Sequence, residues 1–131
     1  SYIHTWDDAP NALKRLMIGG EITQKQADEM QEQLIALQAL IKQHNHDDWF
    51  SNQYQVLTEQ DIITPSGKTY RPDRVIIKDK HAIVIDYKFG EEQLPSYVEQ
   101  VREYILLLRQ LGYSSEGYIV YNKIKIIQQV Q

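Results

Sequence analysis

The chain has 131 residues, 42% hydrophobic and 24% charged, with a formal net charge of −4 and no cysteine. That length supports one hydrophobic core, and the missing cysteines exclude disulfides, thiolate metal sites and iron–sulfur clusters and fit a reducing cytoplasm. Without a signal-peptide pattern or an apolar run of about eighteen residues no membrane association is expected, and the negative balance argues against wrapping nucleic acid by bulk electrostatics alone.

In chain order, Thr5 caps an expected helix over residues 7–18, with Asp7 and Asp8 in its first turn and Gly19-Gly20 at its end. Thr23 and Gln26 form a capping-box pattern for a second helix, whose apolar positions Ala27, Met30, Leu34, Leu37 and Ile41 recur at helical spacing to about Gln43. His44-Asn45-His46-Asp47-Asp48 offers two imidazoles beside two carboxylates, but its place at a helix end reads as a polar loop. Trp49 and Phe50 then anchor that loop. A strand is expected over 53–63, a turn at Thr64-Pro65-Ser66-Gly67-Lys68, and strands over 69–78 and 81–88 turning at Asp79-Lys80. Ser96 and Glu99 suggest a second capping box for a helix that Gly112 stops, with Val98, Val101, Ile105 and Leu108 as its packing face. Two strands close the chain, 117–121 and 123–130, the latter at a sheet edge because Lys123 and Lys125 alternate with Ile124 and Ile126. The order α-α-β-β-β-α-β-β predicts an α/β (α+β) fold, a mixed β-sheet flanked by helices. It is expected to be a single domain over 1–131, a helical part at 1–48 preceding a core at 49–131.

The chemistry concentrates in Arg71-Pro72-Asp73-Arg74-Val75 and in Asp86-Tyr87-Lys88. In a hairpin that turns at Asp79-Lys80, Lys78 faces His81, and the same register sets Asp73 opposite Asp86, their side chains about 5 Å apart. Two facing like charges destabilise a sheet unless something compensates, and a divalent cation held by carboxylates does so. Alternation along the strand puts Lys88 on the Asp86 face, about 7 Å further on. The bland alternative is that both aspartates flank turns and Lys88 ends its strand in water. Against it, Val75, Ile76, Ile77, Ile83, Val84 and Ile85 are apolar on both strand faces, marking interior strands at whose ends charges need partners. Charge is also segregated: residues 66–90 carry six basic against three acidic side chains, whereas residues 1–65 carry four against ten. Lys68, Arg71, Arg74, Lys78, Lys80 and Lys88 are therefore candidates for a phosphate track, although Lys78 and Lys80 equally suit a charged hairpin edge. On the following helix Gln100 and Tyr104 lie four apart and share a face with Tyr97, where an amide and a phenol suit a nucleotide and Tyr97 suits stacking on a base.

These residues resemble the PD-(D/E)xK nuclease superfamily, and within it the RecB-like nuclease domains of ATP-dependent helicase-nucleases of exodeoxyribonuclease V type. The matching pieces are Glu59 in Val56-Leu57-Thr58-Glu59, the Pro72-Asp73-Arg74-Val75 strand, Val84 to Gly90, Gln100 with Tyr104, and Gly112-Tyr113 leading to Gly117-Tyr118-Ile119-Val120-Tyr121. The resemblance implies a restriction-endonuclease-like core and metal-dependent hydrolysis of DNA phosphodiesters, exonucleolytic or endonucleolytic, in double-strand-break repair and recombination. It implies Mg²⁺ or Mn²⁺ on Asp73, Asp86 and the backbone carbonyl of Tyr87, with Glu59 as a further carboxylate. Lys88 is then the catalytic lysine, with Gln100, Tyr104, Arg71, Arg74 and Tyr97 toward DNA. The implied partners are DNA and a helicase part of the same polypeptide or complex, the isolated domain being monomeric. Such domains carry an upstream Gly-x-x-x-His pattern that this chain lacks, so the motif is expected before Ser1, and no P-loop is present. Two alternatives stay open: a catalytically silent nuclease fold that binds DNA or acts as a scaffold, and another enzyme of the superfamily such as a junction resolvase.

Overall fold

The computed structural model describes residues 19–57, 62–63, 67 and 69–131. They fall into two compact units, the first ending at Asn52 and the second running from Gln53 to Gln131. The expected helix over 7–18 lies outside the described residues.

In the first unit, α1 (Gln24–Gln43) starts as its sequence dictates: the Thr23 side chain accepts from the Gln26 amide and the Gln26 side chain accepts from the Thr23 amide. Its buried face is Ala27, Leu37, Leu40 and Ile41. Lys42 sits in the last turn, where a cation suits the exposed carbonyls. Asp47–Phe50 then form one short 3₁₀ turn with Trp49 and Phe50 buried. The histidine pair serves this junction: His44 Nδ1 lies 2.9 Å from the Leu40 carbonyl, and the His46 ring stacks on Trp49 at 4.2 Å.

The second unit runs β1 (Gln55–Leu57), β2 (Ile62–Ile63), β3 (Thr69–Tyr70), β4 (Arg74–Lys78), β5 (His81–Lys88), α2 (Pro95–Gln110), β6 (Ser114–Tyr121) and β7 (Ile126–Val130). Five strands make one mixed sheet in the order β1-β4-β5-β6-β7, and β2 with β3 form a separate two-stranded ribbon. The general class is thus α+β. Only β5 and β6 pair in parallel within the main sheet, as the intervening helical crossover requires. As the central strand, β5 buries Ala82, Ile83, Val84, Ile85 and Asp86 in succession. Val75, Ala82, Val84 and Ile119 pack with Val101, Tyr104, Ile105 and Leu108 of α2 in one core. Burying each such aliphatic side chain contributes about 1.5–3 kcal/mol.

Several elements depart from sequence expectation. Of the strand expected over 53–63 the described residues include β1 and β2, and the strand expected over 69–78 breaks at residues 71–73, where Pro72 has no N–H for a ladder. Helix α2 is not capped by a Ser96–Glu99 box: Leu94 is the N-cap without a side-chain bond and Pro95 occupies the first turn, where its missing N–H costs nothing. β6 starts three residues early, at Ser114, because pairing with β5 carries the polar run Ser114-Ser115-Glu116 into the sheet. β7 starts three residues late, at Ile126, after a turn in which Lys125 has φ 57°. Its expected edge position holds. Among the described residues no helix is long and apolar enough to cross a membrane.

Candidate active site

The β4–β5 hairpin turns through Asp79 and Lys80, both with positive φ (51° and 65°), the two-residue geometry that matches strand twist. Its register runs from Lys78 opposite His81 to Arg74 opposite Ile85. The next step brings Asp73 to Asp86, and the side chains close the gap the ladder leaves. The Asp73 amide donates to Asp86 Oδ1 at 3.3 Å, and the Tyr87 amide donates to Asp73 Oδ2 at 2.8 Å. Two carboxylates are thereby fixed against each other by backbone groups of the opposite strand.

Lys88 completes the cluster. Its Nζ lies 3.3 Å from Asp86 Oδ2 and 4.3 Å from the centre of the Tyr97 ring, which contributes a cation–π contact. Asp86 is 3% exposed, and its Oδ2 is shielded from solvent without accepting a hydrogen bond, so the Lys88 charge is its described compensation. Asp73 is exposed as a residue, yet its carboxyl leans into the cluster. Desolvation there, then hydrogen bonding and repulsion from Asp86, push its pKa up to about 7 against the opposing pull of the Tyr87 amide and Lys88.

Three tyrosines surround the carboxylates. The hydroxyls of Tyr87 and Tyr121 are buried without a hydrogen-bond partner, and that of Tyr70 is buried beside Asp86. Burial, and secondarily Asp86 and Asp73, holds Tyr70 protonated far above the ordinary phenol range. Burial raises Tyr87 as well, although the neighbouring Arg74 charge opposes it, and Tyr121 is raised by burial and then by Tyr97 and Asp86. Tyr104 meets Tyr70 edge-on at 6.0 Å. The surroundings therefore solvate the carboxylates poorly.

The donor set fits a hard divalent cation. Two facing carboxylates, one buried with a single ammonium beside it and one kept partly protonated near neutrality, carry charge that such an ion can neutralise. Among the described residues no group of three His, Cys, Asp or Glu side chains is placed to hold a metal, and the expected further carboxylate, Glu59, lies outside them.

The other expected residues divide. Tyr97 is half-buried beneath Lys88, Gln100 is half-buried one turn before Tyr104, and Arg71 is exposed. Arg74 and Tyr104, at 1% and 3% exposure, lie in the interior. Arg74 is carried inside by its place in β4, and Tyr104 by its helical spacing with Val101 and Leu108. Two of the expected basic residues lie away from the carboxylates. Lys78 donates to Gln53 Oε1 at 3.2 Å and Lys80 lies 5.4 Å from the Tyr113 ring, at the hairpin end about 17 Å from Asp73 at strand rise. Lys68 lies outside the described residues. Sequence reasoning missed Tyr70, whose only signal was its place three residues before Asp73, and an open cavity of about 430 Å³ beside Lys88 that Phe89, Glu91, Tyr97 and Lys123 help to line. A family-model search and a search of curated proteins both return no match to this chain.

Proposed function

We propose that this chain is a metal-dependent nuclease domain of the PD-(D/E)xK type, with a restriction-endonuclease-like core, that hydrolyses DNA phosphodiesters. The observation that carries the reading is the cluster of Asp73 opposite Asp86 with the Lys88 ammonium 3.3 Å from the buried carboxylate. Asp73 and Asp86 would hold Mg²⁺ or Mn²⁺, with the Tyr87 carbonyl beside them and Glu59 as a further donor. When bound, such an ion polarises the phosphoryl oxygens and activates water. The chain's own groups do the rest. The Tyr87 amide fixes the Asp73 carboxyl, Asp86 positions the Lys88 ammonium, and Lys88 orients the attacking water and stabilises the charge that develops on the phosphorane oxygens. Burial of the tyrosine hydroxyls around the carboxylates strengthens these electrostatic contacts. The resemblance to RecB-like domains extends the proposal to a nuclease module working with a helicase in the cytoplasm on broken DNA ends.

The test is digestion of linear DNA with Mg²⁺ or Mn²⁺ and with EDTA. Cleavage that needs the metal and disappears in Asp86→Ala supports the assignment, whereas undiminished cleavage with Asp73, Asp86 and Lys88 all replaced rejects it. One observation favours a silent scaffold instead: Lys88 already neutralises Asp86, so the fold has no need of a cation there. Calorimetric titration with Mn²⁺ separates the two, because a scaffold takes up no ion.

A further inference from the structure

We propose that the cavity beside Lys88 receives one unpaired base of a single-stranded DNA end, stacked on Phe89 with its hydrogen-bonding edge toward Glu91 and Glu92; this rests on the nuclease reading above. The cavity of about 430 Å³ is lined by Lys88, Phe89, Gly90, Glu91, Glu92, Tyr97 and Lys123. That is the scale of a small-molecule site, and it adjoins the proposed reacting centre through Lys88 itself.

The lining chemistry selects the occupant. Phe89 directly follows Lys88 and is 47% exposed, an apolar ring left in solvent at the rim of a charged cluster. A stacked base covers such a ring, and every base offers a π-face. Lys88 and Tyr97 both line the cavity, and the Lys88 ammonium lies over the Tyr97 ring and 3.3 Å from Asp86 Oδ2, which links the cavity to the carboxylates. Glu91 and Glu92 are exposed and repel phosphate, but carboxylates accept from the amino groups of bases. The base, not the backbone, therefore faces them. Lys123 is held by Glu91 at 3.2 Å with both side chains more than half exposed, a pair weak enough to open toward a phosphate. A base inside a duplex is already stacked on both sides and has its edge paired, so only an unpaired nucleotide offers a free face and a free edge together.

The test uses fluorescence anisotropy on the full chain in Ca²⁺, with three probes: a 12-nucleotide single strand, the same strand with abasic residues at its ends, and the blunt duplex. The expected result is that Phe89→Ala weakens single-strand binding about tenfold relative to duplex binding, that Phe89→Trp retains it, and that the abasic strand binds parent and Phe89→Ala equally. Equal affinity of parent and Phe89→Ala for the intact strand overturns the subsite, as does an unchanged difference on the abasic strand. Circular dichroism of Phe89→Ala and the recovery in Phe89→Trp exclude misfolding as the cause. If the parent binds no probe and linear DNA is not cleaved, nuclease reading and subsite fall together; metal-dependent cleavage with a neutral Phe89→Ala removes the subsite alone.

Discussion

Lys88 holds two contacts at once, one to a buried carboxylate and one to an aromatic face, and its substitution separates them from catalysis. Lys88→Ala leaves both carboxylates in place, so Mn²⁺ binding is retained while turnover falls about 10²–10³-fold, the cost of removing one pre-placed charge from a developing anion. Calorimetry and a single-turnover assay check the two halves, and loss of Mn²⁺ binding together with turnover would show that the lysine organises the carboxylates instead. Asp86→Ala removes metal affinity and activity together. At this scale the facing aspartates were legible, because a two-residue turn fixes register by counting and alternation does the rest. Arg74 was not: a charge reads as surface until packing shows the side chain inside. Tyr70 was invisible for a related reason, since the break at residues 71–73 separates its strand from the one that follows Asp73.

Within the elements, the crossover α2 approaches β6 at Gly117, and a Cβ there meets Val101 Cγ1 at 2.6 Å and Ile105 Cδ1 at 2.8 Å. Both are buried core atoms on one helix face, so Gly117→Ala forces the helix outward and costs about 1–3 kcal/mol. Urea denaturation reads this directly, and an unchanged midpoint would mean that the interface yields freely. The hairpin gives the opposite sign. Lys80 adopts φ 65° although it carries a side chain, and Lys80→Gly relieves that strain, raising stability by about 0.5–1 kcal/mol net of the added chain entropy. The turn was readable from two polar residues between apolar runs, and the α1 cap from Thr23 and Gln26. The start of α2 was misread because Ser96 and Glu99 satisfy the pattern of a capping box, while Pro95 one residue earlier sets the helix entry sterically. Strand ends at Ser114 and Ile126 followed cross-strand pairing, which local composition does not encode.

Across the whole molecule, fourteen basic side chains face eighteen acidic ones, so the folded protein carries excess negative charge in addition to the repulsion stored at Asp73 and Asp86. The Asp73 carboxyl moves from an ordinary 3.8 to about 7 on folding. A raised acid pKa means that the folded state binds this proton more tightly than the unfolded chain does. Its contribution to stability is therefore fully present below pH 3.8, declines as pH rises, and is lost above about pH 7. Because other groups titrate in the same window, the informative quantity is the difference from Asp73→Asn, in which a neutral side chain of similar shape cannot ionise. In EDTA, the thermal midpoint of the parent should fall relative to Asp73→Asn between pH 5 and pH 8. Adding Mn²⁺ at pH 8 should then raise the parent and leave Asp73→Asn nearly unmoved, since a cation replaces the lost proton only where two carboxylates face each other. Parallel pH curves would remove the stored repulsion. A Mn²⁺ response of equal size in both proteins would place the ion elsewhere.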